Sequence, residues 1–380
     1  MPTQEKTTYK NCFYIFLSMN LFTKIDIPTA NWQVDYKSHL AFFGSCFADN
    51  ISAQFASRKF NVLANPFGTV YNPLSTAMQI KAIANGKIFG ENDAFQDMRQ
   101  ENGEYNVNSA ASWHCWNAHG SLSGKSREEC INKLNTVANN AREFLRNTDV
   151  VFITLGTAFV YFLKESGIAV SNCHRQNPNL FIRKMISVDH AVEALKSIVR
   201  DLQKIKRDGI LRSVQDDKSE ENSKSRGLHI VFTVSPLRHL SDGAHNNTLS
   251  KATLQLAVEK VMKEFDQPAG NSITNPAPTI NYFPSYEIVM DELRDYRFYE
   301  SDMIHLSKVA EEYIFERMAE TYCDGKTLED IHKVEKFMKS ANHRIQDVNS
   351  PATAAFLQKL HAEATKLESQ IAGLQLGRQF

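Results

Sequence analysis

The sequence predicts an α/β fold built on a parallel sheet with helices on both faces. Short apolar runs recur near residues 40, 62, 152, 231 and 281, and each stops at a small or turn-forming residue. Strands buried on both sides read this way. Between the runs lie longer stretches with helical periodicity. Strands alternating with helices along most of a chain imply parallel pairing through crossovers.

The first strand ends at Gly44, and Ser45-Cys46 precede an amphipathic helix over 47–58. A nucleophile at that corner sits at a strand's carboxyl end, where open α/β sheets hold ligands. It also sits at a helix N-terminus, whose free N–H groups favour a thiolate or an oxyanion. A second short strand, 61–63, runs into Asn65-Pro66-Phe67-Gly68-Thr69-Val70-Tyr71-Asn72-Pro73. Two Asn-Pro steps around a glycine demand a tightly shaped loop. The expected function there is a Gly68 N–H presented to a ligand. A helix over 74–85 follows the second proline.

Residues 95–123 read as a hairpin and loop gathering Trp113, His114, Trp116 and His119, with His119 a candidate pocket residue. A helix over 126–146 carries Glu128 and Glu129 in its first turn. The strand near 152 closes at Gly156-Thr157, and a hairpin of 159–162 with 168–170 delivers Asn172-Cys173-His174-Arg175. A helix over 188–206 leads to a polar run, 207–227, read as a flexible surface insertion. The strand 229–234 is closed by Ser235-Pro236-Leu237-Arg238-His239, a helix covers 249–265, and the last strand is 280–283. A loop carrying Asp302 and His305 and a helix over 308–322 complete the main domain, 19–322. Two amphipathic helices broken at Asn349-Ser350-Pro351 form a C-terminal helical appendage over 323–380.

Lys+Arg and Asp+Glu both number 43, so bulk charge points to neither a nucleic acid nor an acidic surface. Six cysteines without C-x-x-C spacing fit neither a disulfide scaffold nor a zinc site and favour free thiols in a reducing compartment. Lys6 and Lys10 precede an apolar patch that is short for a secretory signal and has no A-x-A site. The expectation is an unstructured leader over 1–18 and a cytoplasmic location. No run approaches the length of a membrane-spanning helix.

Every strand of a doubly wound sheet opens its carboxyl end on the same edge. That brings together Gly44-Ser45-Cys46, Asn65 to Gly68, Gly156-Thr157, the 235–239 segment and the Asp302-x-x-His305 pair. Such spacing lets one loop hold both groups, Asp302 fixing the His305 tautomer while the free ring nitrogen meets the nucleophile. No cofactor or metal is expected, since there is no Walker lysine loop, G-x-G-x-x-G or H-E-x-x-H.

These segments resemble a known family. Gly44-Ser45-Cys46-Phe47-Ala48 is the name-giving motif of the GSCFA family, which is similar to the SGNH (GDSL-type) hydrolases. The resemblance runs on through the 65–73 loop, Thr154 to Thr157, Asn172 to His174, Thr233 to His239, Tyr282 to Glu287 and Asp302 to His305. It implies a flavodoxin-like three-layer α/β/α sandwich. It also implies an esterase-type site for a small-molecule, glycan or lipid acyl ester. Two departures from the SGNH pattern matter. The usual Gly-Asp-Ser block reads Gly44-Ser45-Cys46, which makes Cys46 the nucleophile ahead of Ser45. The usual Gly-x-Asn block reads Gly156-Thr157-Ala158, without the asparagine that donates to the oxyanion. The hole then rests on the N–H groups of Cys46 and Gly68, with Thr157, Asn65 or His174 as third donor. Losing one such donor costs about 10²–10³ in rate. An acyltransferase, a binding module with the same pocket, and a redox pair of Cys46 with Cys173 remain open alternatives.

Overall fold

Alternation along one strand sets out the layers. Leu40 and Phe42 enter one apolar cluster, and Ala41 and Phe43 enter another, because successive strand side chains point to opposite faces. Both clusters need a helical cover, and both have one. The computed structural model describes residues 23–97, 112–215, 227–265, 278–343 and 350–377. The expected leader over 1–18 lies outside them.

In chain order the strands are β1 (His39–Gly44), β2 (Asn61–Ala64), β3 (Phe95–Gln96), β4 (Trp113–His114), β5 (Val150–Leu155), β6 (Phe159–Leu163), β7 (Ala169–Val170), β8 (Phe181–Met185), β9 (His229–Val234) and β10 (Thr279–Tyr282). The helices are α1 (Cys46–Ser57), α2 (Pro73–Ala84), α3 (Arg127–Asn147), α4 (Val188–Gln215), α5 (Ala244–Phe265), α6 (Lys308–Tyr322), α7 (Gly325–Ala341) and α8 (Pro351–Gln370).

The central sheet runs β10-β9-β5-β1-β2 with every pair parallel. Counted along the chain its strands fall in the order 2-1-3-4-5, that of flavodoxin-like sheets. Helices α2, α3, α4 and α5 cover the Ala41–Phe43 face, burying Ile80, Leu134, Leu195 and Leu254. On the opposite face α1 and α6 bury Phe55 and Phe315 against Phe42 and Phe152. The C-terminal helices join that same cluster through Ile331, Phe337, Leu360 and Leu367, so they extend the core. Arg58, just past α1, forms ion pairs with Glu312 of α6 and, at 2.6 Å, with Glu335 of α7. Its guanidinium also lies 3.8 Å from the Phe315 ring centre.

Two differences from the sequence reading have local causes. Helix α4 continues to Gln215, so the expected insertion over 207–227 begins as helix, and residues 216–226 lie outside the description. Strand β8 was not anticipated. Its Ile182 to Met185 stretch is mostly exposed, with Arg183 and Lys184 interrupting any apolar run, and it pairs antiparallel with β6 in a small sheet ordered β7-β6-β8. Among the described residues no helix is long and apolar enough to cross a membrane.

Candidate active site

The strand order reverses between β1 and β5, and the loops leaving two such strands part to open a crevice. At that point β1 ends in Gly44, whose φ is +136°. A β-carbon there would lie 2.1 Å from the Thr154 carbonyl oxygen of β5, so only glycine lets the two strands approach. Ser45 is extended, and α1 starts at Cys46. The Ser45 hydroxyl caps nothing and has no hydrogen-bond partner among the described residues, although Ser45 is 2% exposed.

Cys46 is half-buried, and the N–H groups of Phe47 and of Cys46 itself lie against its sulfur. Burial pushes the thiol up from its ordinary range, and the Asp49 carboxylate adds to the rise. Those two N–H groups and the Lys251 ammonium oppose it and do not prevail. Cys46 therefore rests as a thiol rather than a thiolate. The sign is testable. A raised pKa leaves less thiolate at neutral pH, so iodoacetamide should alkylate Cys46 more slowly than free glutathione at pH 7. The rate should keep climbing above the ordinary thiol pKa of about 8.5. A rate that levels off below pH 7 refutes this charge state.

Asp49, on the first turn of α1, accepts from Asn65 Nδ2 at 2.6 Å and from Thr69 Oγ1 at 2.8 Å. Asn65 Oδ1 in turn accepts the Gly44 N–H at 2.8 Å. This network fixes the loop after β2 to the nucleophile corner. It also corrects two expectations. The Asn65 side chain is committed to Gly44 and Asp49 and does not reach the crevice. The Gly68 N–H donates to the Asn65 carbonyl at 2.7 Å, so it is not free for a ligand. Glycine is required at 68 for another reason: φ is +86°, and a β-carbon would fall 2.1 Å from His119 Cβ.

On the far side Asp302 shapes its own turn. Its Oδ1 accepts the N–H groups of Ile304 and His305, both at 2.9 Å, and its Oδ2 lies 2.6 Å from His305 Nδ1. The His305 ring and those N–H groups hold the Asp302 carboxyl down at about 2. An ionised carboxylate only accepts hydrogen bonds, so Nδ1 of His305 carries a proton and donates it to Asp302, which leaves Nε2 as the ring nitrogen not engaged by Asp302.

Cys46, Ser45 and His305 line one cleft of about 880 Å³, the size of a small-molecule site. No hydrogen bond joins Cys46 to His305 among the described residues. Thr157 also lines the cleft, but its N–H and that of Gly156 both donate to the Tyr71 carbonyl at 2.8 Å. The Thr157 hydroxyl is 3.0 Å from Ser250 Oγ. His119 reaches the cleft with its ring exposed, accepting the Ser121 N–H at Nδ1. His174 does not reach it, a further correction. Its Nε2–H donates to the Cys115 carbonyl at 2.8 Å, its ring packs 4.6 Å from that of His114, and burial pushes its pKa down to about 4. That histidine belongs to a structural aromatic cluster with Phe95 and Trp116. Cys173 lines the cleft as a free thiol, pushed up to about 11 by burial.

Sequence reasoning left several lining groups unassigned. Phe159 and Tyr161 of β6 and Phe181 of β8 form an aromatic wall beside Tyr71, and Arg238 and His239 enter from the loop after β9. Beneath them Lys251, 1% exposed, donates to the Gly156 and Ser235 carbonyls at 2.7 and 2.6 Å. Burial first, then the Arg238 charge, brings this ammonium down to about 7. A signal for Lys251 was present, because Asn247, Lys251, Leu254, Val258 and Val261 fall on one helical stripe.

Among the described residues no group of His, Cys, Asp and Glu is arranged to hold a metal ion. Compared with known families, residues 39–318 match the model of the GSCFA family. No curated protein and no solved structure matches the chain.

Proposed function

The chain belongs to the GSCFA family, and we propose that its cleft carries out acyl transfer, with Cys46 as nucleophile and Asp302–His305 as the base. The observation that carries this reading is the pairing of Asp302 with His305 at 2.6 Å on the same cleft as a strand-end thiol. Nε2 of His305 takes the thiol proton as the sulfur attacks an ester carbonyl. The tetrahedral oxyanion then collapses, the ester C–O bond breaks, and the departing oxygen receives the proton from His305. Water or a second hydroxyl releases the acyl group from the thioester, which separates a hydrolase from a transferase. The substrate class is a small acyl ester, on a glycan or a lipid. Oxyanion donors come from the start of α1, at Cys46 and Phe47. The Thr69 N–H, which donates no hydrogen bond among the described residues, takes the role expected of Gly68.

The test is to trap the acyl-enzyme. Brief incubation with p-nitrophenyl acetate, acid quench and tandem mass spectrometry should place the acetyl group on Cys46. Acetyl on Ser45 instead would move the nucleophile one residue back. A second reading, ligand binding without turnover, is favoured by the neutral thiol and its missing bond to His305, and the absence of any acyl adduct would support it.

A further inference from the structure

The charges around the cleft are one-sided. Arg183 and Arg238 line it, no aspartate or glutamate does among the described residues, and burial pushes His239, also on the lining, toward its neutral form. The chain as a whole is neutral, with 43 basic and 43 acidic residues, so this asymmetry is local. Asp49 is held by Asn65 and Thr69, and Asp302 by His305 and its own turn, both outside the lining.

The two arginines differ. Arg183 lies 2.5 Å from the buried Asp242 and over the Phe159 ring at 4.2 Å, so its charge is balanced within the protein. Arg238 has no carboxylate partner among the described residues, and its one side-chain hydrogen bond is a 3.5 Å contact to the Met290 sulfur. A guanidinium is a fork of donors suited to a planar oxyanion, and a thioether leaves most of that capacity unused. Arg238 and Cys46 line the same cleft, in whose floor the buried Lys251 holds the Gly156 and Ser235 carbonyls. Ser45, whose buried hydroxyl has no partner among the described residues, lines the same cleft.

We infer that the acyl substrate carries an anionic oxyacid group, carboxylate or phosphate, and that Arg238 grips it beside the Cys46 thiol. This deepens the acyl-transfer reading and rests on it for the meaning of substrate, but its test requires no turnover. Iodoacetate and iodoacetamide are near-isosteric alkylating agents that differ in charge. Their rates at Cys46, followed by peptide mass spectrometry at pH 9 and low salt, are each divided by the rate with free glutathione. The corrected preference for iodoacetate should be about tenfold and should shrink with added salt. It should vanish in Arg238→Gln and persist in Arg238→Lys, with thermal melting confirming that both variants fold. Inorganic phosphate and malonate then compete as protectants, and the stronger identifies the oxyacid. A preference no greater than that of glutathione, or one unchanged in Arg238→Gln, overturns the proposal. An intact preference without any acyl-enzyme would sink the catalytic reading while leaving the anion site standing.

Discussion

If the cleft performs the proposed acyl transfer, His305→Ala should lower ester turnover by about 10²–10⁴, the range for loss of a general base, and the deficit should shrink as pH rises. Both parts follow from the state of Cys46. Burial and Asp49 keep the thiol protonated, so at neutral pH the sulfur cannot attack without a partner to accept its proton. Above the raised thiol pKa the thiolate forms unaided, and the variant recovers part of its rate. A steady-state pH profile reads this directly, with wild type levelling off and the variant climbing into the alkaline range. Asp302→Asn should fall between the two, because an amide can still bond Nδ1 but no longer dictates the tautomer. If His305→Ala matched wild type at pH 7, the base would have to be sought elsewhere, and His239 on the same cleft would be the next candidate.

Gly44→Ala should be among the most damaging single-methyl additions to the fold, costing about 4 kcal/mol or more. The new β-carbon would stand 2.1 Å from the Thr154 carbonyl oxygen, at the centre of a sheet where β1 and β5 cannot separate without breaking their ladder. The backbone at φ +136° would also be one that alanine resists. Gly90→Ala is the control. Its β-carbon meets nothing within 4 Å, so the change should stay within about 0.5 kcal/mol. Urea denaturation of both variants decides the point, and a Gly44→Ala chain as stable as Gly90→Ala would mean that the strand spacing is wrong.

The three inner strands β1, β5 and β9 were legible because each is buried on both faces, which leaves an unbroken apolar run with a sharp end. The partly exposed edge strands β2 and β10 showed only as short apolar runs closed by turn residues. Strand β8 was illegible for the opposite reason, since a short, exposed, antiparallel strand needs no apolar run. The site divides in the same way. Cys46, Asp302 and His305 announce themselves through local spacing, and the structure brings Cys46 and His305 to one cleft, with Asp302 holding the His305 ring from outside its lining. Which peptide N–H remains free is decided by tertiary contacts. Gly68 looked like a donor because it is a glycine in a shaped loop. It is a glycine because His119 presses against it, while its N–H closes a turn. His174 fails similarly, since a histidine in a motif and a histidine stacked in an aromatic cluster read alike in one dimension.

The Arg58 contacts reach past the family's boundary. The matched segment stops at 318, yet the helix that presents Cys46 at its first residue is moored at its other end to Glu335, seventeen residues farther on. The part of this protein that is recognisable as the family unit is thus smaller than the part that braces the helix carrying Cys46. A fragment trimmed to the matched boundaries would keep Cys46, Asp302 and His305, and the Glu312 and Phe315 contacts of Arg58, and lose its Glu335 pair.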